Sequence, residues 1–217
     1  MKQAITFEML PAVDAALAAG YRLFDTAKFY FNEAELGQAL EICLPNHNLR
    51  REDVFITTKL YPSGSNNFLA EIESTVEESL HNLRTDYIDL VLIHFPKTKE
   101  TKLDDPKNAI HRRNAYLALE KLKLSDKIHS VGVSNYEIRH LEEIKKYGQN
   151  MPAVNQVEYH PHFTRDELKD YCDNNGIFFQ AYSSLARQNE DLLEHEIVSK
   201  LAEKYNTSAQ VSLSTNV

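Results

Sequence analysis

The chain has 217 residues, of which 42% are apolar and 26% charged, and carries a net charge of −8. That length can bury one substantial core, so a single domain over residues 1–217 is expected. The acidic balance argues against a nucleic-acid surface; no run approaches the ~18 apolar residues of a membrane span, and MKQAITFEML lacks a signal-peptide core.

Taken in order, residues 6–19 have helical apolar spacing, with Thr6 as N-cap and Gly20 as terminator. A short buried strand over 21–27 follows, then a helix over 33–44 behind Asn32. VFITTKL (54–60) is a second strand and residues 68–83 an amphipathic helix. YIDLVLIHF (87–95) is a third strand, stopped by Pro96. Residues 97–113 carry six lysines or arginines and read as a mobile surface loop, its lysines solvated. A helix over 114–127, a strand over 128–135 and a helix over 138–147 come next. They are followed by a strand over 153–160, a helix over 165–174 capped by Thr164, a strand over 177–184 and a last clear helix over 192–205. Cys43 and Cys172 fall in helices without CxxC pairing, which predicts reduced, half-buried thiols and a cytoplasmic protein.

Strict alternation of near-continuous apolar strands with crossover helices predicts a parallel sheet covered by helices. No GxGxxG follows any strand, which argues against a doubly wound dinucleotide fold. The chemically interesting residues instead fall at the C-terminal ends of all six strands, the arrangement of an α/β (β/α)8 TIM barrel with about six of its eight strands present.

Asp25, Tyr30, Lys59 and His94 lie at or just after three consecutive strand ends, which a barrel gathers at one mouth. A tyrosine, at a pKa near ~10, is a weak acid at neutral pH. A buried ammonium beside it is expected to lower that value, and a carboxylate to offset the burial of the ammonium. A histidine alongside can orient a carbonyl oxygen. These four residues suit protonation of an oxygen that becomes negative as hydride reaches its carbon. His160 and His162 are spaced like metal ligands, but no third ligand is evident and no metal is expected.

DTAKFYFNEAELG, ITTKL, ESTVEESLHNLRTDYIDLVLIHFP, HSVGVSN, AVNQVEYHP and QAYSSLA, in that order, resemble the successive signature segments of the aldo-keto reductase family. The resemblance runs from about residue 6 to about residue 213. It implies a barrel of aldo-keto reductase type that binds NADPH and reduces a small aldehyde or ketone to the alcohol, as a monomer. Tyr30 would be the general acid, tuned by Lys59, which is held by Asp25, while His94 would orient the carbonyl. Ser134, Asn135 and Gln156 resemble the residues that clamp the nicotinamide amide, and Tyr182 the ring stacked on it; Ser183 and Leu185 would approach the pyrophosphate. HFP stands where many members have HWP, making Phe95 a pocket wall, and Ser184 and Ala186 replace the usual proline and glycine. Against the family pattern, the first strand and the eighth, with its 2′-phosphate segment, are missing. The expectation is a truncated member with its catalytic quartet intact and its cofactor grip weakened. The alternative is a weak or inactive subunit or binding partner on the same scaffold, associating through exposed sheet edges.

Overall fold

Strands buried on both faces need a neighbour on each side and a helix outside, and the chain supplies both by repeating one unit. The computed structural model describes residues 2–215. Helix α1 (Lys2–Ala18) leads into β1 (Leu23–Asp25), α2 (Glu33–Asn46), β2 (Phe55–Leu60), α3 (Phe68–Leu83) and β3 (Ile88–Ile93). Then come α4 (Asn108–Lys123), β4 (Ile128–Ser134), α5 (Ile138–Tyr147), β5 (Val154–Glu158), α6 (Asp166–Asn174) and β6 (Phe178–Tyr182). Three short helices follow: α7 (Glu190–Leu193), α8 (Glu196–Lys204) and α9 (Ala209–Thr215).

The six strands pair in chain order, every neighbour parallel. They form a curled, incomplete barrel, as expected, and β1 and β6 have no outer strand neighbour among the described residues. The curl is deep enough for Gln156 of β5 to donate to Asp25 of β1 at 2.8 Å. In β3 the apolar side chains are buried almost completely, whereas Leu23 of β1 is 47% and Phe178 of β6 is 66% exposed. The outer layer seats Leu17, Leu40, Val76, Leu119, Leu141 and Leu168, one from each of α1 to α6, in one continuous core with the strands.

Two glycines are required by the backbone. Gly20 ends α1 at φ +90°, where a side chain is strained. At Gly132 a Cβ would lie 2.6 Å from Leu92 Cδ2 and 2.8 Å from the Val154 carbonyl oxygen, so β4 fits between its neighbours only without a side chain.

Several boundaries differ from the sequence reading, mostly where polar residues take partners not visible in the pattern. The helix that was expected from residue 114 begins at Asn108. Asn108 and Arg112 are buried there, and the polarity that suggested a loop is satisfied internally. Asn108 accepts from the Thr101 hydroxyl (2.6 Å) and donates to the Lys102 carbonyl (2.7 Å). Helix α1 starts before Thr6, and α6 has Arg165, not Thr164, at its N-cap position. Asn32 does stand at the N-cap of α2, but its side chain accepts from the Thr26 hydroxyl (2.7 Å) and leaves the helix end uncapped. The single helix expected over 192–205 is two, because His195 Nδ1 accepts from the Ile197 amide (3.2 Å) and starts α8 afresh. Cys43 and Cys172 are free, as expected, but fully buried.

Candidate active site

The C-terminal ends of the strands open on a cavity of about 600 Å³. Asp25, Tyr30, His94, Ser134, Asn135, Gln156, Tyr182 and Ser183 all line it. Lys59 lies beneath, 1% exposed at the end of β2. Leu185 is not at the mouth and packs on a separate C-terminal cluster around Leu192, Val198 and Leu213.

The first bank of the mouth is charged. Lys59 Nζ donates to Asp25 Oδ1 and to the Thr26 carbonyl (2.9 Å), which engages two of its three protons. Its ammonium also sits 5.0 Å from the centre of the Tyr30 ring. Tyr30 ends a single 3-10 turn, Lys28–Tyr30, that follows β1. Its ring stands edge-on to His94, with centroids 5.6 Å apart.

The electrostatics depart from the sequence expectation. Tyr30 is pushed above its ordinary pKa, first by burial and then by the Asp25 carboxylate, with Tyr182 and Tyr61 adding. The ammonium expected to lower it is spent on Asp25, so the tyrosine meets desolvation and a nearby negative charge. Lys59 is itself lowered by burial, with Asp25 opposing the shift through charge and hydrogen bond. His94 is held down to about 4 by burial and the Lys59 charge, with a further contribution from Lys99, against the pull of Asp25. Its ring is therefore neutral at pH 7, and its buried Nδ1 has no hydrogen-bond partner.

The second bank is neutral and carries a chain of amides and hydroxyls. Tyr182 Oη donates to Asn135 Oδ1 (2.8 Å), and Asn135 Nδ2 donates to the His94 carbonyl (2.9 Å) and to Ser134 Oγ (3.0 Å). Asn135 holds this position in a left-handed backbone conformation, φ 62°, which asparagine tolerates better than most residues. Gln156 Nε2 reaches Asp25 Oδ2, and also Gln180 Oε1 at 3.3 Å. Gln180 and Tyr61 were missed in the sequence. The alternation of β6 that puts Tyr182 at the mouth would have found Gln180 two residues earlier.

A buried clamp fixes the segment after β3. Arg112 donates to both carboxylate oxygens of Glu143 (2.8 and 2.6 Å) and to the Pro96 carbonyl (2.9 Å). It thereby ties α4 and α5 to the backbone that carries His94 and Phe95. Among the described residues, no group of three or more His, Cys, Asp or Glu could hold a metal ion, and no helix is long and apolar enough to cross a membrane.

A charged acid–base bank facing a neutral amide bank at a barrel mouth suits a carbonyl reductase, and comparison with known proteins agrees. The aldo/keto reductase family model matches residues 5–208. Glyoxal reductase of Bacillus subtilis is 40% identical over 209 residues, covering 95% of this chain and 68% of that protein. Aldose reductase B of Dictyostelium discoideum is 35% identical, covering 92% of this chain and 68% of its own. Among solved structures, the aldo-keto reductase MGS-M4 from a Medee basin deep-sea metagenome library superposes with a TM-score of 0.81 at 36% identity, covering 94% of this chain and 70% of that one. With matches spanning nearly its whole length, this chain belongs to the aldo/keto reductase family and is an oxidoreductase of carbonyl-reducing type.

Proposed function

We propose that the chain reduces a small aldehyde or ketone to the alcohol with NADPH, and that Tyr30 delivers the proton. The observation that carries the reading is the junction of the two banks: Asp25 accepts from Lys59 on one side and from Gln156 on the other. The neutral donors and acceptors of Ser134, Asn135 and Gln156, beside the Tyr182 ring, fit the carboxamide and flat face of a nicotinamide. Bound there, the reduced cofactor supplies hydride to the carbonyl carbon. NADPH is proposed over NADH on the family resemblance, and titration of both tests the preference.

The chain's own groups then handle the oxygen. His94, neutral with its Nδ1 buried, is left to meet the carbonyl oxygen through Nε2 and to orient it. Tyr30 stays protonated across the neutral range because its pKa is raised, so the donating form is fully populated. As the oxygen becomes negative it attracts the phenolic proton, and the Lys59 ammonium, 5.0 Å from the centre of the Tyr30 ring, offsets part of the Asp25 charge that opposes the phenolate left behind. The buried, unpaired thiols Cys43 and Cys172 fit a reducing compartment, the cytoplasm.

Replacing Tyr30 by Phe tests the assignment. Carbonyl reduction should fall by about 10²–10⁴-fold, the range of general acid catalysis, while nicotinamide fluorescence still reports cofactor binding. Equal activity of the two proteins would remove Tyr30 from the mechanism. A second reading, a binding subunit, is favoured by the exposed apolar residues Leu23 and Phe178 on β1 and β6, whose outer edges have no strand neighbour among the described residues. Elution at a dimer's volume together with absent cofactor binding would select it over a monomeric enzyme.

A further inference from the structure

Glu33 is a buried acid that the reduction mechanism does not use. It is the first residue of α2 and only 3% exposed, and a carboxylate is tolerated at that depth where its oxygens find partners. Both oxygens do. Oε1 accepts from the buried Thr58 hydroxyl at 2.7 Å, and Oε2 lies 3.7 Å from the Lys28 ammonium.

Each partner adjoins a member of the acid–base bank. Thr58 precedes Lys59 on β2, and side chains alternate along a strand, so the hydroxyl faces away from the mouth while the ammonium faces it. Lys28 begins the turn that Tyr30 ends, and it also pairs with Glu78 of α3 at 2.6 Å. One carboxylate thus joins the strand that carries Lys59 to the turn that carries Tyr30, from behind the sheet.

The turn is anchored to β2 on both sides of Tyr30. Before it, the Thr26 amide donates to the Thr57 carbonyl and the Thr26 carbonyl accepts from Lys59, both at 2.9 Å. After it, Glu33 holds Thr58. Between Tyr30 and Glu33 the backbone is strained: Phe31 is left-handed at φ 56°, a conformation that a bulky residue keeps only where the flanking structure imposes it. Phe31 is also 78% exposed, so its own side chain does little to hold the turn.

We propose that Glu33 is a positioning residue that, through Thr58 and Lys28, sets Tyr30 against the Lys59 ammonium and the His94 ring. The inference rests on the reading that Tyr30 gives up the proton in carbonyl reduction. Glu33 itself touches neither substrate nor cofactor.

The test follows NADPH-dependent reduction of butanal by the full chain. Thr58→Val, which keeps the shape and removes the donor, should lower kcat about tenfold while KM and the NADPH affinity read by nicotinamide fluorescence stay unchanged. Thr58→Ser should restore the rate. In a Tyr30→Phe background, Thr58→Val should leave the residual rate unaltered, because a group that acts through the Tyr30 hydroxyl then has nothing to position. Unaltered kcat in Thr58→Val, or an equal fall in both backgrounds, overturns the proposal. Should Thr58→Val fail to fold, Lys28→Met takes its place under the same criteria, with an expected fall of about threefold. If the unmodified chain reduces no butanal, the proposed function fails and the geometry is read without turnover. The nuclear Overhauser contact between the Tyr30 and His94 rings, edge-on at 5.6 Å between centroids, should weaken in Thr58→Val and return in Thr58→Ser. An undiminished contact sinks the role of Glu33.

Discussion

The two banks of the mouth are built from the same kind of strand end but hold their side chains by different physics. On β1 to β3 the side chains are locked by charge: Lys59, 1% exposed, is tolerable only because Asp25 and the Thr26 carbonyl face it. On β4 to β6 they are linked by neutral hydrogen bonds, Tyr182 to Asn135 to the His94 backbone, each worth about 1 kcal/mol net. The lesson is that the charged bank is brittle and the neutral bank adjustable. Removing one member of a charge pair strands the other, whereas a bound amide can replace an internal hydrogen bond at little cost.

The sharpest way to break this contrast is Lys59→Met. It leaves Asp25 without its cation and Tyr30 beside an uncompensated carboxylate, so reduction should fall by about 10²-fold or more, with cofactor affinity much less affected. Steady-state rates beside a nicotinamide fluorescence titration check this, and loss of both in equal measure would erase the division into banks. A milder change on the other side is Tyr182→Phe. It deletes one neutral hydrogen bond to Asn135 while keeping the ring, and should weaken cofactor binding about fivefold. A rate effect larger than the binding effect would move Tyr182 to the acid–base side.

The smallest effect concerns pH and stability. His94 and His140 are both held down to about 4, burial being the first cause in each. Unfolded, each returns toward its ordinary value of 6.5 and takes up a proton that the folded form refuses. Stability therefore declines as pH falls from 6.5 toward 4 and gains nothing from these groups above 6.5. His140 lies on α5, away from the mouth, so His140→Gln should flatten the decline between pH 7 and 5 in urea melts while the His94 share persists. An unchanged slope would remove His140 from the account.

Much of this was legible in the sequence because period and length carry it. The strands cored by Ile56, Val91 and Val133 and the helices over 68–83 and 138–147 declare themselves by apolar spacing alone. The quartet was legible because strand ends in a barrel converge, and nine of the ten named site residues do gather at the mouth. What escaped were polar residues whose partners are distant in the chain. Asn108 and Arg112 look like surface until Thr101, Glu143 and Pro96 are placed around them. Asn32 looks like a cap until Thr26 claims it. The sign of the Tyr30 shift was missed for the same reason, since it depends on how fully Asp25 occupies Lys59.

The hydrogen bond from Gln156 to Asp25 spans 131 positions of sequence. Contacts of such range form only after a long loop has closed, and proteins rich in them fold slowly. The carboxylate that steadies Lys59 thus acquires its second partner only when β5 has docked, four strands after β1. Until then β1 to β3 can pair and bury their core residues while the mouth is still unfinished. The finished mouth of this molecule therefore requires contacts between distant strands, and not the pairing of neighbouring strands alone.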